Sequence, residues 1–432
     1  MKVTAESLPT SSEERITSAA SRFRIGETTR QAGMLFSAQS ASMVAGLFAS
    51  IILGRWMEPV EMGRYAFCLS VIIVASLIFE LGISSAGARV LALASNVEEE
   101  RQSLGALAVL TLVIGTVFAV FIVVAAKPID LLFSKDVQSI FIATSVLALF
   151  QPLQLLIEQC CQGLNQIKRL SIMHLTIAGG NVIGLTVLAI LNRLNAGTAL
   201  AVYMAATTIA SVWAMVQLRP SLHRLSHYIK LTLQAIRGYG FNLYLARMSG
   251  LASSRSDQLA IGYFLSSTTP LGIYAIAQKF SNPISMLGRS LATTRFRAFS
   301  RLTRVPARIT KWNTVVVFIA SIALVICGPI VLRFVFPKYS EASSLLIPFA
   351  AMNLFAGLFQ PYNIFLAAHG RGAELRNIVL LTGLATVLGL VFAVPRFGIA
   401  GAAWTVAASM VLDYILHVLY YRRFIGQLGP GD

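Results

Sequence analysis

Charged residues are scarce in this sequence of 432 residues, in which Asp, Glu, Lys and Arg together make up only 12%. A typical soluble domain contains about twice that fraction. Hydrophobic residues make up 56%, and the mean hydropathy is +0.72. No long polar segment separates the apolar runs, which excludes an additional soluble domain. The composition therefore predicts an integral membrane protein.

Cysteine is also rare, and the sequence has no motif for binding zinc, a nucleotide or a dinucleotide. All four cysteines lie within or at the ends of apolar segments: Cys68, Cys160, Cys161 and Cys327. This placement is typical of small hydrophobic residues and not of a disulfide framework. We therefore expect no cofactor and no metal.

Acidic residues number 18 against 35 Lys and Arg, which gives a net charge of +17. The cations lie mainly in short segments between apolar runs, and the segment 295–311 alone contains six. Cytoplasmic loops of membrane proteins are enriched in Lys and Arg, which also attract anionic lipids. We therefore expect both termini in the cytoplasm, anionic lipids at that face and no nucleic-acid partner.

Apolar runs long enough to cross a bilayer core of about 30 Å recur along the chain. Twelve membrane-spanning helices are predicted, at 31–54, 65–88, 104–126, 138–162, 170–191, 198–218, 241–265, 272–294, 312–335, 343–368, 377–395 and 398–421. Between the sixth and the seventh, apolar residues at helical spacing predict an amphipathic helix on the inner leaflet. The predicted organisation is a cytoplasmic tail, a six-helix bundle, an interfacial linker and a second six-helix bundle, at 1–30, 31–218, 219–240 and 241–432.

The two predicted bundles share short sequence motifs. The matching segments are 63–66 and 272–275, 150–152 and 359–361, and 182–185 and 387–390, which are offset by 209, 209 and 205 residues. Six spans in each repeat mean that both copies enter the membrane from the same side. The sequence thus predicts an all-α fold of two parallel repeats, an arrangement that places a substrate path between the halves of a transporter.

Segment 55–66 and Phe79-Glu80-Leu81-Gly82 resemble the first-repeat signature of the polysaccharide transporter family. These proteins are the O-antigen and exopolysaccharide flippases of the multidrug/oligosaccharidyl-lipid/polysaccharide (MOP) superfamily. Segments 257–262 and 271–275 resemble the second-repeat signature. The sequence departs from the family pattern at Glu58, where glycine is usual, and at Arg297, where proline is frequent.

The resemblance implies a fold like that of multidrug and toxin extrusion (MATE) transporters, with a central cavity lined largely by spans 1, 2, 7 and 8. It also implies alternating-access transport of a polyprenyl-pyrophosphate-linked oligosaccharide across the bacterial inner membrane. A glycan polymerase and export machinery are the implied partners. A multidrug or cation antiporter of the same superfamily is an alternative function. A membrane glycan polymerase or ligase is another, but the predicted outer loops are short for such an enzyme.

Charged residues at mid-bilayer cost about 2.5–3.5 kcal/mol each, so those within the predicted spans are candidates for function. We expect cations and amides of spans 7 and 8 to bind the pyrophosphate, with help from Arg30 at the entry to the first span. The predicted ligands are Arg247, Arg255, Gln258, Gln278, Lys279, Asn282 and Arg289. For Arg247 and Arg289, which lie near span ends, contact with lipid headgroups is the alternative.

A stripe of amides on the fourth span, including Gln151 and Gln154, is suited to sugar hydroxyls, because each amide is both donor and acceptor. Hydrogen bonding between helices is the alternative. Asp413 and His417, four residues apart on the twelfth span, could share a proton or form a structural ion pair. The candidates for ion coupling are Glu80, Glu158, Asp257, Asp413 and His417. His174 is expected to be a packing residue.

Overall fold

The computed structural model of the protein describes residue 34, residues 37–237, 244, 255–293 and 299, and residues 302–427. Every regular element within these residues is helical. The α-helices are α1 (Ser37–Trp56), α2 (Pro59–Glu80), α3 (Ile83–Ala92), α4 (Val97–Phe133), α5 (Gln138–Ala148), α6 (Gln151–Gly163), α7 (Ile167–Ile190), α8 (Ala196–Leu218), α9 (Leu225–Ala235), α10 (Ser256–Phe264), α11 (Thr269–Ser281), α12 (Pro283–Thr293), α13 (Ala307–Val335), α14 (Leu346–Leu358), α15 (Gln360–Ala368) and α16 (Gly372–Gln427). A 3₁₀ helix, η1 (Pro337–Leu345), precedes α14.

The local sequence explains where several helices begin. Proline lies in the first turn of α2, α6, α11 and α15, where its missing N–H removes no hydrogen bond. Asn96 caps α4 by accepting a hydrogen bond from the backbone of Glu99. Asn195 and Thr198 form a reciprocal capping box at the start of α8.

Several helices are long and apolar enough to cross a bilayer. Among the described residues, seven helices meet this criterion by themselves, and the continuous run of η1, α14 and α15 (Pro337–Ala368) makes an eighth. Helices α5 and α6 together, bent by 40°, make a ninth span. Large apolar side chains on their outer faces are exposed, among them Val113, Val117, Val120 and Val124 of α4 and Phe318, Ile322, Ile326 and Ile330 of α13. Exposed apolar surfaces of this extent mark contact with lipid, and the chain is a multi-pass membrane protein.

The internal repeat is visible in how the helices break and pack. Phe150 and Phe359, which are matching residues of the repeat, occupy the break between α5 and α6 and the break between α14 and α15. A Cβ atom added to Gly184 would lie 2.6 Å from Val202, and one added to its counterpart Gly389 would lie 2.6 Å from Thr405. The matching motifs therefore have the same structural role in both halves.

Helix α16 consists of two antiparallel segments. Gly398 has φ +59° and ψ −140°, outside the helical region. The contact between Gly389 and Thr405 joins residues that a straight helix of this length would separate by about 24 Å. The chain therefore turns back at Gly398, which separates the predicted eleventh and twelfth spans.

Helices α2 and α11 cross at matching glycines, and this crossing joins the two halves. A Cβ atom at Gly63 would lie 1.9 Å from the backbone oxygen of Thr268, and one at Gly272 would lie 2.0 Å from that of Pro59. Pro59 and Thr268 are separated by the same 209 residues as the two glycines. The contact is thus reciprocal, with each glycine allowing the backbone of the other half to approach.

Two predicted spans differ from single straight helices. The second span is interrupted at Leu81 and Gly82, both of which have positive φ, and the eighth is interrupted at Asn282. In the predicted linker, α9 occupies Leu225–Ala235 and packs against α4. Most of the seventh predicted span and the tail 1–30 lie outside the described residues, so the total of twelve spans stays a prediction.

Gly63→Ala and Gly272→Ala are each expected to destabilise the protein by about 1–3 kcal/mol, because the added methyl group would overlap the backbone of the other half. Gly179→Ala is the matched control, since no atom lies within 4 Å of its added Cβ atom. The measurement is the apparent melting temperature in detergent. Equal melting temperatures for Gly63→Ala and Gly179→Ala would contradict the close crossing.

Candidate functional site

A cavity of about 310 Å³ lies between the two halves, beside the crossing of α2 and α11. Its walls come from α1, α2, α7 and α8 of the first half and from α11, α12 and Arg255 of the second. The lining residues are Met43, Gly46, Leu47, Ala49, Ser50, Leu53, Tyr65, Leu69, Ile73, Asn181, Tyr203, Arg255, Lys279, Asn282, Pro283 and Met286. We call this space the central cavity.

Arg255 and Lys279 both line the central cavity and are half-buried. Arg255 is the residue before α10, and Lys279 lies in the last turn of α11. The ammonium of Lys279 lies over the ring of Tyr65, 5.0 Å from its centre. This cation–π contact from the other half offsets part of the cost of removing the ammonium from water.

The electrostatic character of the central cavity is positive. Two cations line it, and no Asp or Glu does so among the described lining residues. Arg255 also lies at the N-terminus of α10, where the exposed backbone N–H groups carry partial positive charge. Like charges placed together raise the energy of an empty site and favour a bound anion.

A buried hydrogen-bond network lies next to the cavity and connects the two halves. Asp257 accepts hydrogen bonds from Tyr274 Oη (2.8 Å), Gln278 Nε2 (2.8 Å) and the backbone of Gln258 (2.7 Å). Gln258 Nε2 donates to Gln278 Oε1 at 2.7 Å, and Ser70 Oγ of α2 donates to Gln258 Oε1 at 2.5 Å. Gln258, Gln278 and Asp257, predicted as ligands and a coupling acid, are therefore bonded to one another in this structure.

One end of the cavity is closed by polar contacts between the halves, and we call it the sealed end. Lys135 donates to the backbone oxygens of Leu265 and Ser266, and burial lowers the pKa of its ammonium. Thr268 Oγ1 donates to Val60 O at 3.0 Å.

On the opposite flank of the sealed end, Tyr339 Oη donates to Met57 O at 3.1 Å, and Lys338 pairs with Glu58 at 2.5 Å. Every one of these contacts joins the first half to the second. The sealed end therefore blocks passage from the cavity on that side.

A second chamber, of about 220 Å³, adjoins the central cavity within the first half. Its polar lining residues are Ser42, Gln154, His174, Asn181 and Tyr203, and its apolar ones are Ala45, Gly46, Ile177 and Ala178. We call it the amide chamber. His174, which was expected to be a packing residue, is part of its wall, because the α7 face that carries it turns toward α1.

The other predicted amides and cations of the site occupy different environments. Asn282 lines the central cavity at the break between α11 and α12. Arg289 is exposed on α12 and is not among the described lining residues. Gln151 is buried in the first turn of α6, with Nε2 lacking a partner among the described residues. Arg30 and Arg247 lie outside the described residues.

Apart from Asp257, the predicted coupling groups lie in three places. Glu80 is buried and accepts from the backbone of Ser84 at 3.0 Å, across the break between α2 and α3. Glu158 accepts from Gln154 Nε2 at 3.0 Å beside the amide chamber. Asp413 and His417 are buried in α16, with 3.4 Å between Oδ2 and Nδ1. The His417 ring stacks on Phe359, 4.7 Å away between ring centres.

Three aromatic and amide residues of the cavity walls were absent from the predicted site: Tyr65, Asn181 and Tyr203. Tyr65 could have been found, because it belongs to the repeated motif 63–66 and matches Tyr274. Asn181 and Tyr203 had no such signal, since a single polar residue in an apolar helix does not indicate which neighbour it faces.

Comparison with protein families gives one match, which covers most of the chain. Residues 28–303 match the family described as polysaccharide biosynthesis protein. A comparison with curated protein sequences finds no match.

Comparison with solved structures gives matches over nearly the whole chain. The lipid II flippase MurJ in an inward closed conformation has a TM-score of 0.73 and 12% identity, covering 90% of this chain and 87% of that one. An inward-facing multidrug resistance MATE family transporter of the MOP superfamily has a TM-score of 0.70 and 13% identity, covering 89% and 95%. An outward-facing MATE transporter has a TM-score of 0.56 and 14% identity, covering 94% and 97%. At these identities the likeness shows the fold alone, which is that of MOP transporters.

Ser70→Ala is expected to destabilise the protein by about 1–3 kcal/mol, because it leaves the buried Gln258 Oε1 without its donor from the other half. Ser76→Ala is the control, since Ser76 is also buried in α2 but bonds to Ile73 of its own helix. The measurement is again the apparent melting temperature. If Ser70→Ala lowers the melting temperature no more than Ser76→Ala does, the result would argue against a hydrogen bond between the halves at Ser70.

Proposed function

We propose that this chain, which belongs to the polysaccharide biosynthesis protein family, is a flippase for a polyprenyl-pyrophosphate-linked oligosaccharide in the bacterial inner membrane. The observation that carries the proposal is the pair of cations, Arg255 and Lys279, on the wall of a cavity between two membrane-embedded halves. A pyrophosphate is the anionic group of such a lipid. Arginine can bind phosphate oxygens in pairs, and lysine supplies a mobile point charge.

Alternating access supplies the mechanism. In the proposed cycle, the substrate headgroup enters the central cavity while the contacts at the sealed end hold the two halves together. Separation of these contacts and closure of the opposite end would then expose the headgroup to the other leaflet. The higher TM-score against an inward-facing MATE structure than against an outward-facing one supports assigning the sealed end to the outer face.

The remaining polar residues of the site have proposed roles in this cycle. Asn282, which lines the cavity, and Arg289, on α12, would contact the headgroup as it enters, as would Arg30 and Arg247. Gln258 and Gln278, which are bonded to each other, would act as ligands when separation of the halves breaks the bond from Ser70 to Gln258. Gln151 and Gln154 would bind sugar hydroxyls.

Arg255→Ala and Lys279→Ala are each expected to slow flipping at least tenfold, and the double variant is expected to abolish it, because each loses a charge-assisted contact worth about 1.5–3 kcal/mol. The measurement is the rate at which a lipid-linked oligosaccharide moves from one leaflet of a proteoliposome membrane to the other. Binding of an added lectin to the glycan in the outer leaflet follows this transfer. Arg255→Lys should retain part of the activity, since it keeps the charge but loses the paired contact.

Arg396→Ala is the control for removing a cation, because Arg396 is exposed and donates to Phe392 of its own helix. Normal flipping by the double variant would refute the proposal. Resistance to cationic drugs in cells, without glycan export, would instead support the multidrug antiporter. The cations of the central cavity argue against that alternative.

We further propose that Asp413 and His417 couple transport to a proton gradient, because they form the buried pair of opposite acid–base character in α16. Glu80, Glu158 and Asp257 are the other candidates.

Asp413→Asn is expected to remove the acceleration of flipping by an imposed proton gradient and to leave the rate of flipping without a gradient unchanged. Ser409→Ala is the control, since Ser409 is buried one turn earlier and bonds within its helix. A wild-type protein insensitive to the gradient would make the pair structural.

A further inference from the structure

We propose that the amide chamber binds one uncharged sugar, the one bonded directly to the pyrophosphate of the substrate. The inference rests on the proposed function and assigns a site that the cationic pair leaves open. The pair accounts for recognition of the pyrophosphate, which all polyprenyl-pyrophosphate-linked glycans share, but not for recognition of any sugar.

The position of the amide chamber makes the sugar next to the pyrophosphate its natural occupant. Gly46, Asn181 and Tyr203 line both the amide chamber and the central cavity, so the two spaces share a wall. A pyrophosphate bound by Arg255 and Lys279 would therefore leave its first sugar at this shared wall. Sugars farther along the glycan would have to pass the first one to reach the chamber.

The chemistry of the lining fits a neutral sugar. Among the described residues of the wall there is no Lys, Arg, Asp or Glu. Hydroxyl, amide and imidazole groups supply both donors and acceptors, as sugar hydroxyls require. Ile177, Ala178 and the ring of Tyr203 supply an apolar surface for the C–H face of a pyranose. A few placed polar groups on an apolar wall are typical of small-molecule sites.

Two polar atoms of this wall have unmet hydrogen-bonding capacity. Ser42 Oγ and Asn181 Oδ1 are buried and lack a hydrogen-bond partner among the described residues. A buried polar atom without a partner costs about 1–3 kcal/mol. Rotation of the Asn181 amide or the Ser42 hydroxyl toward the chamber would let a bound hydroxyl remove that cost, which favours occupancy by a hydrogen-bonding ligand.

The side chain of Gln154 is also oriented to bind a sugar hydroxyl. Its Nε2 donates to Glu158 Oε1 at 3.0 Å, which fixes the amide plane. The Gln154 Oε1 atom is then available to accept a hydrogen bond from a sugar hydroxyl. Glu158 thereby acts as a positioning residue, holding the amide that contacts the ligand.

The size of the chamber limits its occupant to one ring. A volume of about 220 Å³ corresponds to roughly seven water molecules at about 30 Å³ each. This is room for a single pyranose and too little for an oligosaccharide. The transporter would therefore discriminate among glycans by the sugar at the pyrophosphate end, and the rest of the repeat unit would be free to vary.

The test compares two lipids in nanodiscs containing the full-length protein: undecaprenyl pyrophosphate, and the same lipid with one N-acetylglucosamine attached. The wild type is expected to bind the sugar-bearing lipid at least tenfold more tightly. Gln154→Ala, at a residue that lines the amide chamber but not the central cavity, is expected to remove this advantage and to leave the affinity for the sugar-free lipid unchanged within twofold. Arg255→Ala should reduce the affinity for both lipids by the same factor, because it removes a contact with the pyrophosphate that they share.

Two further variants separate loss of ligand contact from loss of folding. Ala178→Phe fills the amide chamber without lining the central cavity, and it should reduce only the binding of the sugar-bearing lipid. Thr186→Ala is the control on α7, since Thr186 is exposed and bonds to Val182 of its own helix. Both variants are expected to bind the sugar-free lipid with the same affinity as the wild type.

The possible outcomes separate the two proposals. Equal affinity of the wild type for the two lipids would overturn the sugar site and leave the flippase proposal intact. An equal loss of affinity for both lipids in Gln154→Ala would also overturn it, assigning Gln154 to the pyrophosphate or to the fold. Failure of the wild type to bind either lipid would refute the proposed function itself, and the sugar site with it.

Discussion

A positive charge inside a bilayer requires a polar or charged partner, or water, in its surroundings. Each cation at mid-depth costs about 2.5–3.5 kcal/mol unless it meets water, an anion or a polarisable partner. Arg255 and Lys279 stand on neighbouring segments of the second half, so their mutual repulsion adds to this cost. The structure lowers this energetic cost in two ways. The two halves are separated by a cavity beside Arg255 and Lys279, and the Tyr65 ring lies under the Lys279 ammonium. A cavity at this level is therefore a requirement of the charges, and closure of the halves is confined to the sealed end.

The internal repeat explains how such a site can arise from two similar halves. Lys279 occupies the repeat position that Ser70 holds in the first half, and Tyr274 occupies that of Tyr65. In the second half the tyrosine hydroxyl donates to the buried Asp257, whereas in the first half the tyrosine ring faces the lysine. One scaffold thus carries charge on one side and neutral hydrogen-bonding groups on the other. This asymmetry gives the cavity a charged wall and a neutral wall, the two properties that a sugar pyrophosphate has.

The sequence was sufficient to predict the membrane fold, an internal repeat and the family, because apolar runs and repeated motifs are local or nearly local signals. It also indicated Arg255 and Lys279 as candidates, since a charge in an apolar helix is conspicuous whatever surrounds it, and both line the central cavity. Helical spacing failed to distinguish Gln258 and Gln278, bonded in a network, from Asn282, which faces the cavity. Spacing gives the side of a helix but not the neighbouring element. Breaks at Leu81–Gly82 and at Asn282 also interrupt two predicted spans, and no residue pattern within one span revealed the wall shared by α1, α7 and α8.

The polar contacts that join the halves are individually weak, as the proposed alternating access requires. The pair of Glu58 and Lys338 is exposed, and such pairs contribute about 0–1 kcal/mol. The bonds from Thr268 and Lys135 are to backbone oxygens, which water can hydrate when the contact opens. The neutral bond from Thr268 contributes about 0.5–1.5 kcal/mol, and a bond from the charged Lys135 about 1.5–3 kcal/mol. The glycine crossing adds close packing without interlocking side chains. Each term is small, so a ligand that binds one state more tightly by a few kcal/mol can move the equilibrium between them. In the proposed cycle, a pyrophosphate that draws Arg255 and Lys279 together would supply a differential interaction of that size.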